Sequence, residues 1–91
     1  MDTTKFEQVP IDKLVPYARN ARTHSKEQIT QLRASLREFG FVSPAVIDSR
    51  YNILAGHGRV QAAREEGYTT VPCVFAENLT DAQKRAYILA D

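Results

Sequence analysis

Cysteine is nearly absent from this chain of 91 residues, since Cys73 is the only one. A single thiol cannot form an internal disulfide, and it is too few for a zinc site. We therefore expect a reducing, cytoplasmic environment. The residues before Phe6 lack the apolar core of a signal peptide, and no apolar run approaches the length of a membrane span.

An excess of charge of one sign is also missing. Lysine and arginine together number 12 and the acidic residues 11, which leaves a formal net charge of +1. The total charge therefore does not mark a nucleic-acid binder, and anion binding must depend on local groups of cations. Eight arginines against four lysines favour planar recognition of phosphate or carboxylate. The length is that of one domain.

A glycine corner, Gly56-His57-Gly58-Arg59, stands between an apolar run and a predicted helix. Glycine lets the backbone turn sharply and approach a ligand closely. A helix that begins near Gly58 directs unpaired N–H groups toward this corner, and Arg59 adds a charged fork of donors. The pattern predicts an anion site suited to phosphate. The alternative is a tight turn with Arg59 in solvent.

The corner matches neither of two common phosphate-binding fingerprints. A Walker loop needs Lys-Ser or Lys-Thr after the glycines, and the dinucleotide motif needs a third glycine where Gln61 stands. For His57 we rank contact with a phosphate first, a structural part in the turn second, and general-base catalysis third.

Hydrophobic periodicity predicts both helices and strands in this chain. We expect an α+β domain with a small mixed sheet and about three helices packed around it. The first helix follows Ser25, which forms a capping box with Gln28, and it ends at Gly40. Its predicted apolar face comprises Ile29, Leu32, Leu36 and Phe39. A second helix covers about 58–66, and a third follows a capping box at Thr80.

Four predicted strands cover 6–11, 45–48, 52–55 and 70–75, of which the middle two form a hairpin. Pro10 limits the first strand to an edge or a strand end, and Pro72 places the last strand near an edge or marks its start. Cys73 is expected to be a buried apolar filler.

Two further groups of cations are candidate contacts. The loop before the first helix carries Arg19 and Arg22, and it either contacts a ligand or is a solvated connection. On the first helix, Lys26, Arg33 and Arg37 share part of the outer face, which either touches nucleic acid or is solvated.

With these motifs the chain resembles the N-terminal domain of the ParB family, in the ParB/sulfiredoxin superfamily, which is also called the ParB-like nuclease domain. The resemblance covers about 6–91. It rests on Leu14-Val15-Pro16-Tyr17-Ala18-Arg19-Asn20-Ala21-Arg22, on Gly40-Phe41-Val42-Ser43-Pro44 and on Gly56-His57-Gly58-Arg59-Val60-Gln61-Ala62. The last segment stands where the family has Gly-Glu-Arg-Arg-x-x-Ala. Its Gly-His-Gly-Arg form is similar to the phage and mobile-element branch, in which the domain precedes a DNA methyltransferase or acts as a regulator.

The resemblance implies a nucleotide-binding regulatory domain in DNA partition, DNA modification or transcription control. The implied ligand is CTP or ATP with Mg²⁺. The triphosphate would be held by Arg22, Arg19 and the corner Gly56, His57, Gly58 and Arg59, while the segment 40–44, including Ser43, would border the base. The replacement of the family's Glu-Arg by His57-Gly58 removes one phosphate-facing arginine. Asp91 would enter an acidic motif of the family and is a candidate metal ligand.

Other functions stay open. One is a metal-dependent nuclease or nucleoside triphosphatase, for which the scattered candidate groups are His24, Asp48, His57 and Asp91. Another is a DNA-binding domain. Sulfinic-acid reduction is rejected, because the corner lacks the cysteine that this chemistry needs. The third helix stops at Asp91 without a cap, so we expect a single domain, 1–91, excised from a longer protein. DNA would then be bound through other regions, and a homodimer is a further expectation.

Overall fold

The computed structural model describes residues 6–16 and 24–90. In these residues the strands are β1 (Glu7–Pro10), β2 (Val15–Pro16), β3 (Ala45–Ile47), β4 (Asn52–Ala55) and β5 (Thr70–Phe75). The α-helices are α1 (Lys26–Phe39), α2 (His57–Glu65) and α3 (Asp81–Ala90). The predicted α+β class, with a small mixed sheet and three helices, is confirmed. Within the same residues, no helix has the length and apolar character needed to cross a membrane.

The sheet is curled, because the strands at its two opposite edges follow one another directly in the sequence. Its order is β1-β5-β3-β4-β2, with β1–β5 and β3–β4 antiparallel and β3–β5 and β2–β4 parallel. Only residues 11–14, which include a 3-10 turn, connect the edge strands β1 and β2. The five steps from Pro10 to Val15 span at most about 18 Å when fully extended, and the 3-10 turn, with a rise of about 2 Å per residue, shortens this connection, so the sheet bends to bring its edges together.

The two faces of the sheet pack against different helices. Neighbouring residues of β4 point to opposite faces, as strand geometry requires. Ile53 belongs to the main core, which includes Ile29 and Leu36 of α1 and Val60 of α2. Leu54 instead packs in a smaller cluster with residues of α3. The α1–α2 pair therefore covers one face, and α3 covers the other.

The first helix begins as predicted and buries most of the predicted face. Ser25 Oγ accepts from the Gln28 N–H at 3.1 Å, and Gln28 Oε1 accepts from the Ser25 N–H at 2.9 Å. Phe39 is 66% exposed, so its assignment to the apolar face was wrong. The reason is that α2 ends opposite Arg33 and Arg37, short of the last residue of α1.

Two predictions about strands need correction. β5 is an interior strand between β1 and β3, so of the two positions that Pro72 suggested, an edge or the start of the strand, the edge is wrong, and Pro72 lies in the first half of the strand. Pro72 is tolerated because the first half of β5 pairs with β1 alone, and pairing with β3 starts only at Cys73. The short edge strand β2 was not predicted. It pairs in parallel with β4 over two residues, which leaves no periodic pattern in the sequence.

Candidate functional site

The glycine corner lies where β4 ends and α2 begins. Gly56 is the N-cap residue of α2, with φ +96° and ψ 21°, a left-handed conformation that disfavours a side chain. A Cβ atom at Gly56 would also stand 2.9 Å from Arg59 Nη2 and 3.3 Å from the Cβ of Ala45. Glycine is therefore required here both by the backbone and by the position of the Arg59 side chain.

Arg59 is held against the turn that follows α1. Its Nη2 donates to the carbonyl oxygen of Pro44 at 3.3 Å, and its guanidinium carbon lies 5.9 Å from the ring centroid of Phe41. The Phe41 ring in turn lies 6.5 Å from the ring of Tyr68. Arg59 Nε is buried and has no acceptor among the residues that the structure describes. Arg59 is therefore half-buried, and its Nε is an unused donor among the described residues.

A cavity of about 180 Å³ lies between Arg59 and the segment 40–44. Its lining comprises Leu32, Ser35, Leu36, Gly40, Val42, Ser43 and Arg59. The two leucines make part of the wall apolar, while Arg59 and the exposed Ser43 supply polar groups. The structure therefore brings together two of the segments that the sequence singled out, which are 19 residues apart from Gly40 to Arg59.

A second cavity, of about 170 Å³, contains both histidines of the chain in its wall. Its lining comprises Pro16, His24, Ile53, His57, Val60, Gln61 and Arg64. His57 is only 8% exposed. Arg64 Nη2 donates to the carbonyl oxygen of Ile11 at 3.2 Å. Among the residues that the structure describes, this lining contains three groups that can carry positive charge and no carboxylate.

Gly58 has a different position from the one expected. Helix α2 begins at His57, one residue earlier than predicted, so Gly58 lies inside its first turn and is buried. A Cβ atom at Gly58 would stand 2.8 Å from His24 Nε2 and 2.9 Å from Leu32 Cδ1. The missing side chain therefore makes room for His24 and for the approach of α1 to α2.

The predicted site residues fall into three groups. Arg59 and Ser43 line the first cavity, and His57 lines the second. Gly56 and Gly58 shape the backbone between them. Arg19, Arg22 and Asp91 lie outside the described residues. His24 is a further residue beside the corner, and no spacing in the chain relates it to Gly56 or Arg59.

Other charged residues that the sequence offered as candidates form ion pairs that hold elements of the fold together. Arg33 Nε and Arg37 Nη1 donate to Glu66 Oε2 at 2.6 and 2.8 Å. Asp48 is 1% exposed and accepts hydrogen bonds from Asn52, Lys84 and the Arg50 N–H. Burial alone would raise the pKa of Asp48, but these hydrogen bonds outweigh it and lower the pKa. In residues 6–16 and 24–90, no three His, Cys, Asp or Glu side chains gather as a metal site.

Cys73 is buried within β5, as expected. Its Sγ lies 3.6 Å from the carbonyl oxygen of Val71, and burial raises the pKa of the thiol to about 11. The thiolate is therefore scarce at neutral pH.

Comparison with protein families matches residues 1–91 to the ParB N-terminal domain. The chain is 49% identical over 76 residues to the ParB-like nuclease domain-containing protein YnaK of Escherichia coli strain K12, which covers 84% of this chain and 87% of that protein. It is 32% identical over 98 residues to the nucleoid occlusion protein of Halalkalibacterium halodurans. This second match covers 100% of the chain but 34% of the relative, so the chain spans about a third of that protein.

Solved structures of similar fold include the C-terminally truncated chromosome-partitioning protein ParB of Caulobacter crescentus complexed with CTP-gamma-S. That match has a TM-score of 0.85 and 28% identity, and it covers 93% of this chain and 51% of the other. Sulfiredoxin from Arabidopsis thaliana matches with a TM-score of 0.72 and 18% identity, over 92% of this chain and 97% of the other. At that identity the likeness to sulfiredoxin is one of fold alone.

Proposed function

This chain belongs to the ParB N-terminal domain family, and we propose on that basis that it binds a nucleoside triphosphate, CTP or ATP, together with Mg²⁺. It would act as the regulatory domain of a protein of DNA partition, DNA modification or transcription control. The complex of the Caulobacter crescentus ParB with CTP-gamma-S supports a nucleotide as the ligand.

The single observation that carries the proposal is the position of Arg59. Its guanidinium is fixed by Pro44 and Phe41 at the mouth of a cavity, and its buried Nε has no acceptor among the described residues. A buried donor without an acceptor is costly, and an anionic ligand that drew the guanidinium toward the cavity would remove that cost. Arginine is also suited to phosphate, because its planar fork can donate two parallel hydrogen bonds.

The two cavities suggest how a nucleotide would be divided between them. Each is smaller than the roughly 300–1,000 Å³ that a small-molecule site usually has, so each suits one part of the ligand. We assign the base to the cavity beside Ser43 and the phosphates to the corner 56–59. Pro16 and His24, which bracket the segment with Arg19 and Arg22, both line the His57 cavity. This supports a phosphate-binding role for those arginines.

The regulatory role follows from a ligand that bridges separate segments. A triphosphate in contact with Arg59, with Arg22 and with the turn 40–44 favours the conformation in which these segments are close together. A second copy of the chain or another domain can then recognise that conformation. We assign DNA binding to other regions, because Arg33 and Arg37 already pair with Glu66.

Titration of the ¹⁵N-labelled protein with CTP, ATP, GTP and UTP in the presence of Mg²⁺ tests the proposal. We expect the amide signals of Gly56, Gly58 and Ser43 to shift with at least one nucleotide. The absence of a shift with all four would refute it. Phosphate release measured on the same samples decides between a binding domain and a triphosphatase, and sedimentation with and without nucleotide tests for a homodimer.

Arg59→Ala is expected to weaken binding by about tenfold or more, since it removes a charge-assisted donor. Arg59→Lys retains the charge without the fork and is expected to have an intermediate affinity. The matched control is Arg50→Ala, because Arg50 is an exposed arginine in the turn at the opposite end of the β3–β4 hairpin from the corner. An equal loss in both alanine variants would indicate a general charge effect and contradict the assigned site.

A further inference from the structure

The imidazole of His24 occupies the space that a side chain at position 58 would need. The Nε2 and Cδ2 atoms of His24 lie 2.8 and 2.9 Å from an ideal Cβ built on Gly58. Gly58 belongs to the first turn of α2, whereas His24 precedes the cap of α1. A residue far away in the chain thus places a titratable ring at the start of α2.

Several cationic side chains lie near this ring, of which Arg33 is paired with Glu66. His24 and His57 line the same cavity of about 170 Å³, together with Arg64, and none of the described residues places a carboxylate in it. His24 also borders a neighbouring cavity of about 370 Å³. Within residues 6–16 and 24–90, the titratable or charged groups that share a cavity with His24 are Lys26 and Arg33 of α1 and His57, Arg64 and Glu65 of α2. Glu65 Oε1 lies 3.4 Å from Arg33 Nη1, which offsets its charge.

The His24 ring also lies at the position where the glycine corner differs from the motif that it resembles. The segment that resembles Gly-Glu-Arg-Arg reads Gly-His-Gly-Arg here, so the chain lacks an arginine at Gly58. The space of that side chain is filled by His24, and the position of the preceding glutamate is taken by His57. Where the motif has a permanently charged arginine, this chain therefore has two histidines, His24 and His57, near the corner.

We propose that His24 replaces the absent arginine as a phosphate-binding cation, so that phosphate binding by this chain weakens as the pH rises from about 6 to about 8. The inference rests on the proposed nucleotide function, which it extends by naming the group that contacts phosphate and the condition that controls it.

The physical reason is the change in the number of donors on the ring. An imidazolium ring has two N–H donors and a positive charge, whereas neutral imidazole has one donor and no charge. Imidazole changes between these forms near neutral pH, which arginine does not do. A bound phosphate favours the charged form, so binding near pH 7 should be accompanied by proton uptake.

Calorimetric titration with magnesium-CTP and, separately, with inorganic pyrophosphate tests the proposal. Each titration is carried out near pH 6 and near pH 8, and at pH 7 in two buffers of different ionisation enthalpy. We expect the affinity of the wild-type protein to fall by about tenfold across this range, with measurable proton uptake at pH 7. His24→Gln should lose most of both effects. A ligand phosphate also protonates near pH 6, so the difference between proteins is what counts.

Lys26→Gln is the matched control, because Lys26 borders His24 in the larger cavity but does not line the one that contains His57. This variant should retain the pH response. A second variant, His24→Ala combined with Gly58→Arg, returns a permanent cation to the space vacated by His24, and the Leu32 side chain must shift to admit the new Cβ. Its affinity should change with pH no more than that of His24→Gln. A pH response as large in this double variant as in the wild-type protein would contradict the proposal.

The outcomes separate this inference from the proposed function. If nucleotide binds and His24→Gln retains the full pH response, the inference is refuted and the nucleotide function stands. If pyrophosphate binds with a response that depends on His24 and no nucleotide binds, the inference stands and the nucleotide function fails. Binding of neither ligand at either pH refutes both. His24→Gln decides the matter if the double variant does not fold.

Discussion

The Nζ atom of Lys84 lies 3.0 Å from Oδ2 of Asp48, and this ion pair joins α3 to the turn between β3 and β4. Asp48 also accepts hydrogen bonds from the backbone N–H groups of Arg50 and Asn52 and from the Asn52 side chain. The apolar attachment of α3 is small, and its buried members are Leu54, Ala76 and Ile88. The ion pair is therefore an important part of the contact that holds α3 on the sheet.

Lys84→Met is expected to lower the free energy of unfolding by about 2 kcal/mol. The substitution leaves the buried Asp48 carboxylate without its charged partner, although three other hydrogen bonds remain. Urea denaturation at pH 7 measures the loss. Arg85→Met is the control, because Arg85 is the exposed neighbour on the same helix and should change stability by less than about 0.5 kcal/mol. Equal losses would show that the ion pair is unimportant.

The lowered pKa of Asp48 leads to a prediction about how the free energy of unfolding changes with pH. Burial opposes ionisation of Asp48, but the hydrogen bonds that it accepts prevail and lower its pKa. A group whose pKa is lower in the folded state contributes stability above its unfolded pKa and loses it as the pH falls through the folded value. We therefore expect the free energy of unfolding to fall below about pH 4.

Urea denaturation at several pH values between about 7 and 2 tests this expectation. Asp48→Asn should be less stable at pH 7, because it weakens the contact with Lys84, and its stability should fall less steeply below pH 4. The prediction is wrong if wild type and variant lose stability in parallel over that range.

Gly56→Ala should destabilise the protein more than Gly67→Ala. Both residues have positive φ, +96° and +84°, so alanine is strained by about 1 kcal/mol at either position. Only at Gly56 would the new Cβ meet Arg59 Nη2 and Ala45, whereas no atom of the described part of the chain lies within 4 Å of a Cβ at Gly67. We expect a total cost of about 2–3 kcal/mol for Gly56→Ala. Similar melting temperatures for the two variants would contradict the close contact at Gly56.

Helix ends and the β3–β4 hairpin were predictable because their signals are local. The serine and threonine capping boxes at Ser25 and Thr80 both form as expected. Strand β4 has the predicted bounds, Asn52–Ala55, and pairs antiparallel with β3. In each case the residues that decide the structure lie within a few positions of one another.

The environment of the corner was only partly predictable because its contacts are distant in the chain. The sequence indicated that Arg59 and the segment 40–44 matter, but not that Pro44 and Phe41 hold the guanidinium. Likewise, Gly58 looked like a residue for close approach of a ligand, whereas it makes room for His24 and Leu32. Such packing depends on how α1 crosses α2, which no local pattern encodes.

Glu66→Ala is expected to increase the affinity of the chain for duplex DNA of arbitrary sequence. Glu66 is the acceptor for both Arg33 and Arg37, so its removal makes the Arg37 guanidinium available to phosphates and leaves Arg33 with the longer, 3.4 Å contact to Glu65. We expect an increase of about threefold in affinity and a steeper decrease with salt, measured by fluorescence anisotropy at several salt concentrations. Glu38→Ala is the matched control, since it changes the net charge equally at an exposed site on α1.

The comparison of these two variants separates a local effect from a general one. If both raise DNA affinity equally, net charge alone is responsible, and the arginines of α1 have no special part. If the wild-type chain already binds duplex tightly with a steep salt dependence, then α1 contacts DNA despite its ion pairs with Glu66. That result would favour the DNA-binding alternative and would contradict the assignment of DNA contacts to other regions of the protein.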